Sequence, residues 1–505
     1  MLFLHISFLL SILHFWYSKA VKNYRKGEPA MHYRPTVAIV PLGHSVYFQQ
    51  FEGLYQELSQ KAAAFAQQFD ASTDVIVTDY VDTVDAAIAT ARDLRSRDVD
   101  GIFMLLTTYL PSALAAPFAR YLDAPQILVA VQPLAHLDYK RCTTYMQLAN
   151  DDVCAMPEIS GVYARLGRTV PPCIVAADCQ QEQLQREVRS WQHALAAKAA
   201  FKYQKFGYLG HTYEGMYDMH TDPTAFYAAF GAHVQMLEMC ELAALSEAVA
   251  PAALAEKTQC ILDTFSIQDP SVDPLTDHVQ PEDLAWSARI ACALDALIQK
   301  HGLRALAYYY KGETGNLYER IGAAMIVGNT LLTSGGTPLA GEADLKTAAA
   351  MLILHALGGG GSFAEIHPFD VTEDCVLVGH DGPHNIAISQ GKPVLRKLKK
   401  YHGKAGSGIG VEFSLRTGPV TLLSITYLGS GRFKMVAASG ISVPGDIPQT
   451  GNTNTRVQFS MPVTEFLRRW CEAGPTHHFA LGTGDLTPEL RKLARIMDID
   501  LEVIE

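Results

Sequence analysis

The chain has 505 residues, 49% of them hydrophobic and 18% charged, with a net charge of −11; this fits a soluble protein with a large core divided into about two to four domains. The acidic balance and the lack of a long basic run exclude a nucleic-acid partner, and the one basic cluster, Arg396 to Lys400, reads as a solvated surface. Nine scattered cysteines without a C-x-x-C pair fit buried thiols in a reducing, cytoplasmic setting better than a disulfide framework or a zinc–cysteine site.

The opening "MLFLHISFLLSILHFWY" is apolar but short and interrupted by His5 and His14, whereas a spanning helix needs about 20 apolar residues. No basic residue precedes it and no small-x-small cleavage site follows. Residues 1–30 therefore read as a non-structural extension rather than a membrane anchor, with the first domain beginning near Met31.

From residue 35 the hydrophobic period alternates. "TVAIVPL", "DVIVTDY", "VDGIFMLLTT" and "PQILVAVQPL" are strand-like runs. Between them lie helical patterns such as "YFQQFEGLYQELSQKAAAFAQQF" and "TVDAAIATARDLRSR". Alternation of this kind predicts a parallel sheet covered by helices. The first strand end, "PLGHSVY", lacks G-x-G-x-x-G, so a dinucleotide is not indicated. A second alternating region begins near Phe206 with "KFGYLG" and runs through "LRALAYYYKG" to a helix predicted over 339–357. After the glycines at 358–361 the chain turns to short β-rich segments, "CVLVGH", "GVEFSLRTGPVTLLSITYLG" and "RFKMVAASGISV", which predict an antiparallel barrel or sandwich. The glycine-rich "AGSGIG" at 405–410 lies among strands with no helix behind it and reads as a turn, not a phosphate loop. The fold expected is α/β: two Rossmann-like parallel-sheet domains, 31–204 and 205–360, then a β-rich, barrel-like domain, 361–505.

Four side chains stand out. On the helix predicted over 339–357, Leu345, Ala349, Leu352 and Ala356 share one face, and Glu342 heads that face. By itself it reads as a first-turn acid that stabilises its own helix. In "SFAEIHPFDV", strand alternation puts Phe363, Glu365, His367, Phe369 and Val371 on one side, so Glu365 again sits among apolar neighbours. "CVLVGHDGPHN" ends an apolar strand on His380, with His384 nearby, and "GPTHHFALGTG" carries His477 and His478. Inward carboxylates and imidazoles are a ligand set for a divalent metal such as Mn²⁺, Co²⁺ or Zn²⁺, although no H-x-x-x-H or H-E-x-x-H motif is present to confirm it.

The run "LAGEADLKTAA", "SFAEIHPFD", "LVGH", "RTGPV" and "HHF" resembles, in order and spacing, the L-arabinose isomerases. "QLANDDVCAMPEISGVYARLGR" and "FGYLGHTYEGMYDMHTDP" extend the resemblance to nearly everything from about Met31 onward. The resemblance implies a three-domain, Mn²⁺-dependent aldose–ketose isomerase acting through a cis-enediol. Co²⁺ or another divalent cation is the alternative. The metal would be held by Glu342, Glu365, His380 and His478, with His477 the fallback for the last, and the two glutamates would also handle protons. Tyr310 and Met216 match positions expected to touch substrate, as does His477. The partners implied are a monosaccharide and further copies of the chain, in a homo-oligomer (hexamer or trimer) with the site near a subunit interface. No nucleic acid or membrane is expected. The chain departs from the family where "PLGHSVYFQQFEG" replaces a G-S-Q-H-L-Y-G-like loop and "FAEIHPF" replaces F-M-E-D-Y. L-arabinose is thus the default sugar, with L-fucose-type and D-galactose-type aldoses open. A non-catalytic sugar-binding protein and another metal-dependent sugar enzyme, an aldolase or hydrolase, are the competing readings.

Overall fold

The computed structural model describes residues 34–505 other than 271 and 402–405. The extension predicted over 1–30 lies outside the described residues. The chain forms two compact units, Tyr33–Ala199 and Ala200–Glu505. Among the described residues, no helix is long and apolar enough to cross a membrane.

The first unit is built on β1 (Thr36–Leu42), β2 (Asp74–Val77), β3 (Gly101–Leu106), β4 (Gln126–Gln132) and β5 (Cys173–Ala177). They form a five-stranded sheet of order β2-β1-β3-β4-β5, parallel at each pairing. Every residue of β3 is buried, as expected for a strand covered on both faces. Helices Val84–Ser96 and Met156–Arg165 supply Ala87, Ala91, Leu94 and Ile159 to the core beside β1, β3 and β4.

The second unit opens with β6 (Lys205–Leu209) and β7 (His233–Leu237). The two-residue strands β8 (Ser266–Ile267) and β9 (Thr276–Asp277) come next, then β10 (Ala305–Tyr308) and β11 (Leu339–Ala340). A parallel sheet of order β11-β10-β6-β7 results. The chain changes direction across the sheet between β6 and β10, and a crevice beyond the carboxyl ends of such strands is where ligands bind. The loops leaving β6, β10 and β11 all open there.

The remaining strands are β12 (Ser362–Asp370), β13 (Cys375–His380), β14 (Val394–Leu398), β15 (Gly408–Glu412), β16 (Gly418–Tyr427), β17 (Phe433–Val443), β18 (Thr453–Gln458), β19 (Phe479–Thr483) and β20 (Asp500–Ile504). β14 pairs with β15, β8 and β9 in a small sheet. The others form a seven-stranded sheet of order β16-β19-β12-β13-β18-β17-β20. An additional β16–β17 pairing closes all but β20 into a ring whose pairings are antiparallel. The fold class is therefore the expected one: two helix-covered parallel sheets and an antiparallel-rich, barrel-like sheet.

Three expectations are corrected. The helix predicted over 339–357 begins only at Leu345. Leu339–Ala340 is an edge strand of the parallel sheet, and Gly341–Ala343 is a single tight turn. Glu342 and Ala343 both have left-handed backbone, φ +60° and +59°, a conformation that costs a residue with a Cβ about 1–2 kcal/mol. The acid at the mouth of the helix is Asp344, whose side chain accepts from the backbone N–H groups of Lys346 and Thr347. Every residue of this helix is buried, because it packs against β10 on one side and β16 and β19 on the other.

The stripe predicted from Phe363 to Val371 is broken. The β12–β13 register pairs Glu365 with Gly379 and Ile366 with Val378 but Phe369 with Val376. One extra residue is thus accommodated beside Pro368, which has no N–H to give the ladder. Phe369 and Val371 are exposed. The basic cluster is not a uniformly solvated surface either. Arg396 is 2% exposed and makes two hydrogen bonds to the Glu412 carboxylate, at 3.0 and 2.9 Å.

Candidate metal centre

Four parts of the second unit deliver the candidate side chains. Glu342 sits in the turn after β11, Glu365 on β12 and His380 at the end of β13. His478 immediately precedes β19. The strained turn at Glu342 directs its carboxylate to His478: Oε2 lies 3.5 Å from Nε2. Oε1 accepts a 3.2 Å hydrogen bond from Tyr310 Oη, two residues beyond β10. On the ring, Glu365 Oε1 is 3.9 Å from His380 Nε2. The Phe363 ring wedges against both imidazoles, with centroids 4.6 Å from His380 and 4.5 Å from His478.

Ligand atoms of Glu365, His380 and His478 lie within 4.8 Å of one another, and so do those of Glu342, His477 and His478. His478 is common to both groupings, so the four residues singled out from the sequence meet around one imidazole. His477 belongs to one grouping only, and its Nδ1 is held at 2.6 Å by Asp218. Met216 lies half-buried in the loop after β6 and is not among the converging groups. Its neighbour in that loop, Tyr213, donates its N–H to the Glu342 carbonyl at 3.2 Å.

Behind the imidazoles stand carboxylates that the sequence reading did not single out. Asp344 Oδ2 is 3.4 Å from His478 Nδ1, and Asp381 Oδ1 is 3.1 Å from His380 Nδ1. A carboxylate behind a ring nitrogen fixes the orientation of a ligating histidine. Asp344 is itself fixed by the wholly buried Lys346, whose Nζ is 3.1 Å away and also donates to the Met219 carbonyl at 2.8 Å. The local signals were present: an Asp opening "DLKTAA" and another following His380. Their spatial relation to the histidines is not local.

Electrostatics follow from burial set against these pairs. Burial works against the charge on Glu365, but His367, His380 and His478 outweigh it and hold the carboxyl at about 2. Burial likewise opposes ionisation of Asp344, yet Lys346 and His478 hold it well below the usual carboxylate range. His478 is lowered by burial, which keeps the ring neutral and its lone pair available. His380 is raised, since Asp381 and Glu365 overcome its burial. Burial and the adjacent Glu342 push the Tyr310 phenol far up, so it stays a donor.

The fit to a cation is seen in two atoms. Glu342 Oε2 and His478 Nε2 are buried without a hydrogen-bond partner among the described residues, and they face each other. Stranding a buried carboxylate oxygen and an imidazole nitrogen is costly, and a divalent ion accepted by both types of atom removes that cost.

The L-arabinose isomerase C-terminal domain description matches residues 360–500, the stretch that carries Glu365, His380 and His478. An L-arabinose isomerase of Vibrio parahaemolyticus is 22% identical over 466 residues, 90% of this chain and 91% of that protein. One from Escherichia coli is 22% identical over 440 residues, 84% of each chain. Residues 360–500 thus match that domain family, and over most of its length the chain is distantly similar to L-arabinose isomerases. A sulfoquinovose isomerase of Priestia aryabhattai is 25% identical over 190 residues, 37% of this chain. That alignment spans 42% of the relative's length.

Proposed function

We propose that this chain is a divalent-metal-dependent aldose–ketose isomerase. The observation that carries the reading is the pair of buried, unpartnered atoms, Glu342 Oε2 and His478 Nε2, facing at 3.5 Å next to the Glu365–His380–His478 grouping. Glu342, Glu365, His380 and His478 would hold the cation; the mixed carboxylate and imidazole donors suit several divalent ions, and the resemblance to L-arabinose isomerases makes Mn²⁺ the first choice and Co²⁺ the alternative. When bound, the cation supplies a Lewis acid for the negative charge that builds on the sugar O1 and O2.

The chain's own residues supply the proton handling. One glutamate takes the proton from C2 and returns it to C1 by way of the cis-enediol. The other manages the hydroxyl protons, so that O1 gains one as O2 gives one up. Tyr310 occupies Glu342 Oε1 as a donor and leaves Oε2 facing inward. Tyr310, Met216 and His477 are assigned to sugar binding around the crevice at the carboxyl ends of β6, β10 and β11. The default reaction is L-arabinose to L-ribulose. The protein is assigned to the cytoplasm as a homo-oligomer, trimer or hexamer, with this site near a subunit interface.

A screen of metal-stripped protein resupplied with Mn²⁺ tests the reading. Its aldoses are L-arabinose, L-fucose, D-galactose and sulfoquinovose, the last because a relative carries that name. Ketose formation without fragments is expected from at least one. Tight Mn²⁺ binding with no ketose from any, or cleavage products, would overturn it.

A further inference from the structure

We propose that His367 is a positioning residue that, anchored by Asn454, holds the Glu365 carboxylate toward His380 and His478. The inference rests on Glu365 being a metal ligand and adds a residue to that site.

Three strands make the arrangement. Glu365 on β12 pairs with Gly379 on β13, and Gly379 pairs with Asn454 on β18. Paired residues project to the same face, so Glu365 and Asn454 flank a position with no side chain. A Cβ at Gly379 would fall 1.6 Å from the Thr453 carbonyl oxygen, so the gap between them is enforced. Neighbouring strands lie about 4.8 Å apart, so two intervals separate the backbones of Glu365 and Asn454. The His367 ring joins them: its Nε2 is 3.3 Å from Glu365 Oε1 and its Nδ1 is 2.5 Å from Asn454 Oδ1. His367 and Pro368 both lie within the irregularity between Ile366 and Phe369, and such irregularities re-aim side chains.

The hydrogen at Nε2 follows from the contacts. A lone pair on Nε2 facing a carboxylate oxygen at 3.3 Å would be repelled, so Nε2 carries hydrogen and donates to Glu365. The Asn454 amide suits this in either orientation. Its oxygen accepts from a ring with hydrogen on both nitrogens, or its NH₂, turned over, donates to Nδ1. Asn454 is 2% exposed, and its backbone N–H and C=O are engaged with Phe413 and Ser414. The anchor is therefore rigid, whereas His367 is partly open, its side chain 17% exposed.

Two amides separate the ring's functions. In His367→Gln the side-chain NH₂ occupies the place of Nε2 and still donates to Glu365. In His367→Asn the NH₂ occupies the place of Nδ1, reaches Asn454 and loses Glu365. Mn²⁺ alone is titrated into the metal-stripped full chain of wild type, both variants and Glu365→Gln, with thermal unfolding of each apo protein recorded. Removing such support costs about 10–100-fold in metal affinity. The expectation is a loss in that range for His367→Asn, near-wild-type affinity for His367→Gln, and matching apo midpoints for the two. Equal losses in both variants, no loss in either, or losses that follow the apo midpoints would overturn the proposal. Unchanged Mn²⁺ binding in Glu365→Gln would instead remove Glu365 as a ligand, and this inference with it.

Discussion

Asp344 and Lys346 form a wholly buried ion pair, 3.1 Å long, at the first turn of a helix buried on every side. The same carboxylate caps the helix and faces His478. Asp344→Asn keeps a capping side chain but leaves the Lys346 ammonium without its counter-charge. A loss of about 3–5 kcal/mol is expected in denaturant unfolding of the apo protein. Adding Lys346→Met should restore much of it. If the double variant is as unstable as the sum of the singles, the two residues do not act as a pair.

Glu342→Gln and Glu365→Gln should each lower turnover by at least about a hundredfold while far-UV circular dichroism stays unchanged. His380→Ala should weaken Mn²⁺ retention far more than it shifts the apo unfolding midpoint. Rates like wild type in either glutamine variant would take that carboxylate out of the chemistry.

The Asp218–His477 contact gives stability a pH window. Burial opposes the charge on Asp218, but His477 outweighs it and brings the carboxyl to about 2, below its unfolded value of about 3.9. Its contribution is present above the unfolded value and is lost as pH falls through 2. His477 is raised, Asp218 overcoming its burial, so its contribution is full below about 6.5 and is lost as pH rises through the folded value. The difference in apo unfolding midpoint between wild type and Asp218→Asn should therefore peak between about pH 4 and 6.5 and shrink on both sides. A difference that is flat with pH would mean the contact is not ionic.

In the first unit, Lys61 Nζ donates to Asp152 at 2.6 Å and to the carbonyls of Thr107 and Ala149 at 2.9 and 3.0 Å. Burial pushes the Asp152 carboxyl up to about 7 against the pull of Lys61. Lys61→Met strands that carboxyl and should cost about 3–5 kcal/mol once it is ionised. The penalty should shrink in mildly acidic buffer, where a neutral carboxyl is tolerated. Urea midpoints at both pH values check this.

Much of this architecture was legible because buried parallel strands are continuous apolar runs, and β1, β3 and β4 were read from that alone. Glu365 was readable as inward because strand alternation holds up to the irregularity, and Pro368 was a visible signal for where it would fail. The start of the helix after β11 was missed because the apolar run hides a strand and a turn ahead of it. Asp344 followed by "LKTAA" was the overlooked cap. The partnership of Asp218 with His477 spans 259 residues, and no periodicity carries such information. Arg396 looked solvated because a basic neighbourhood gives no hint of Glu412 across the β14–β15 ladder.

The closure of β16, β19, β12, β13, β18 and β17 has a geometric consequence. In an open sheet one pair can slip and leave the rest alone; in a hoop the staggers must sum to a fixed total. Glu365, His380 and His478 are borne at three stations on that hoop, so the spacing of these three side chains is an arithmetic property of the whole circuit. Deleting Pro368, three residues beyond Glu365, should displace Glu365 against the two histidines or force a compensating slip elsewhere around the loop.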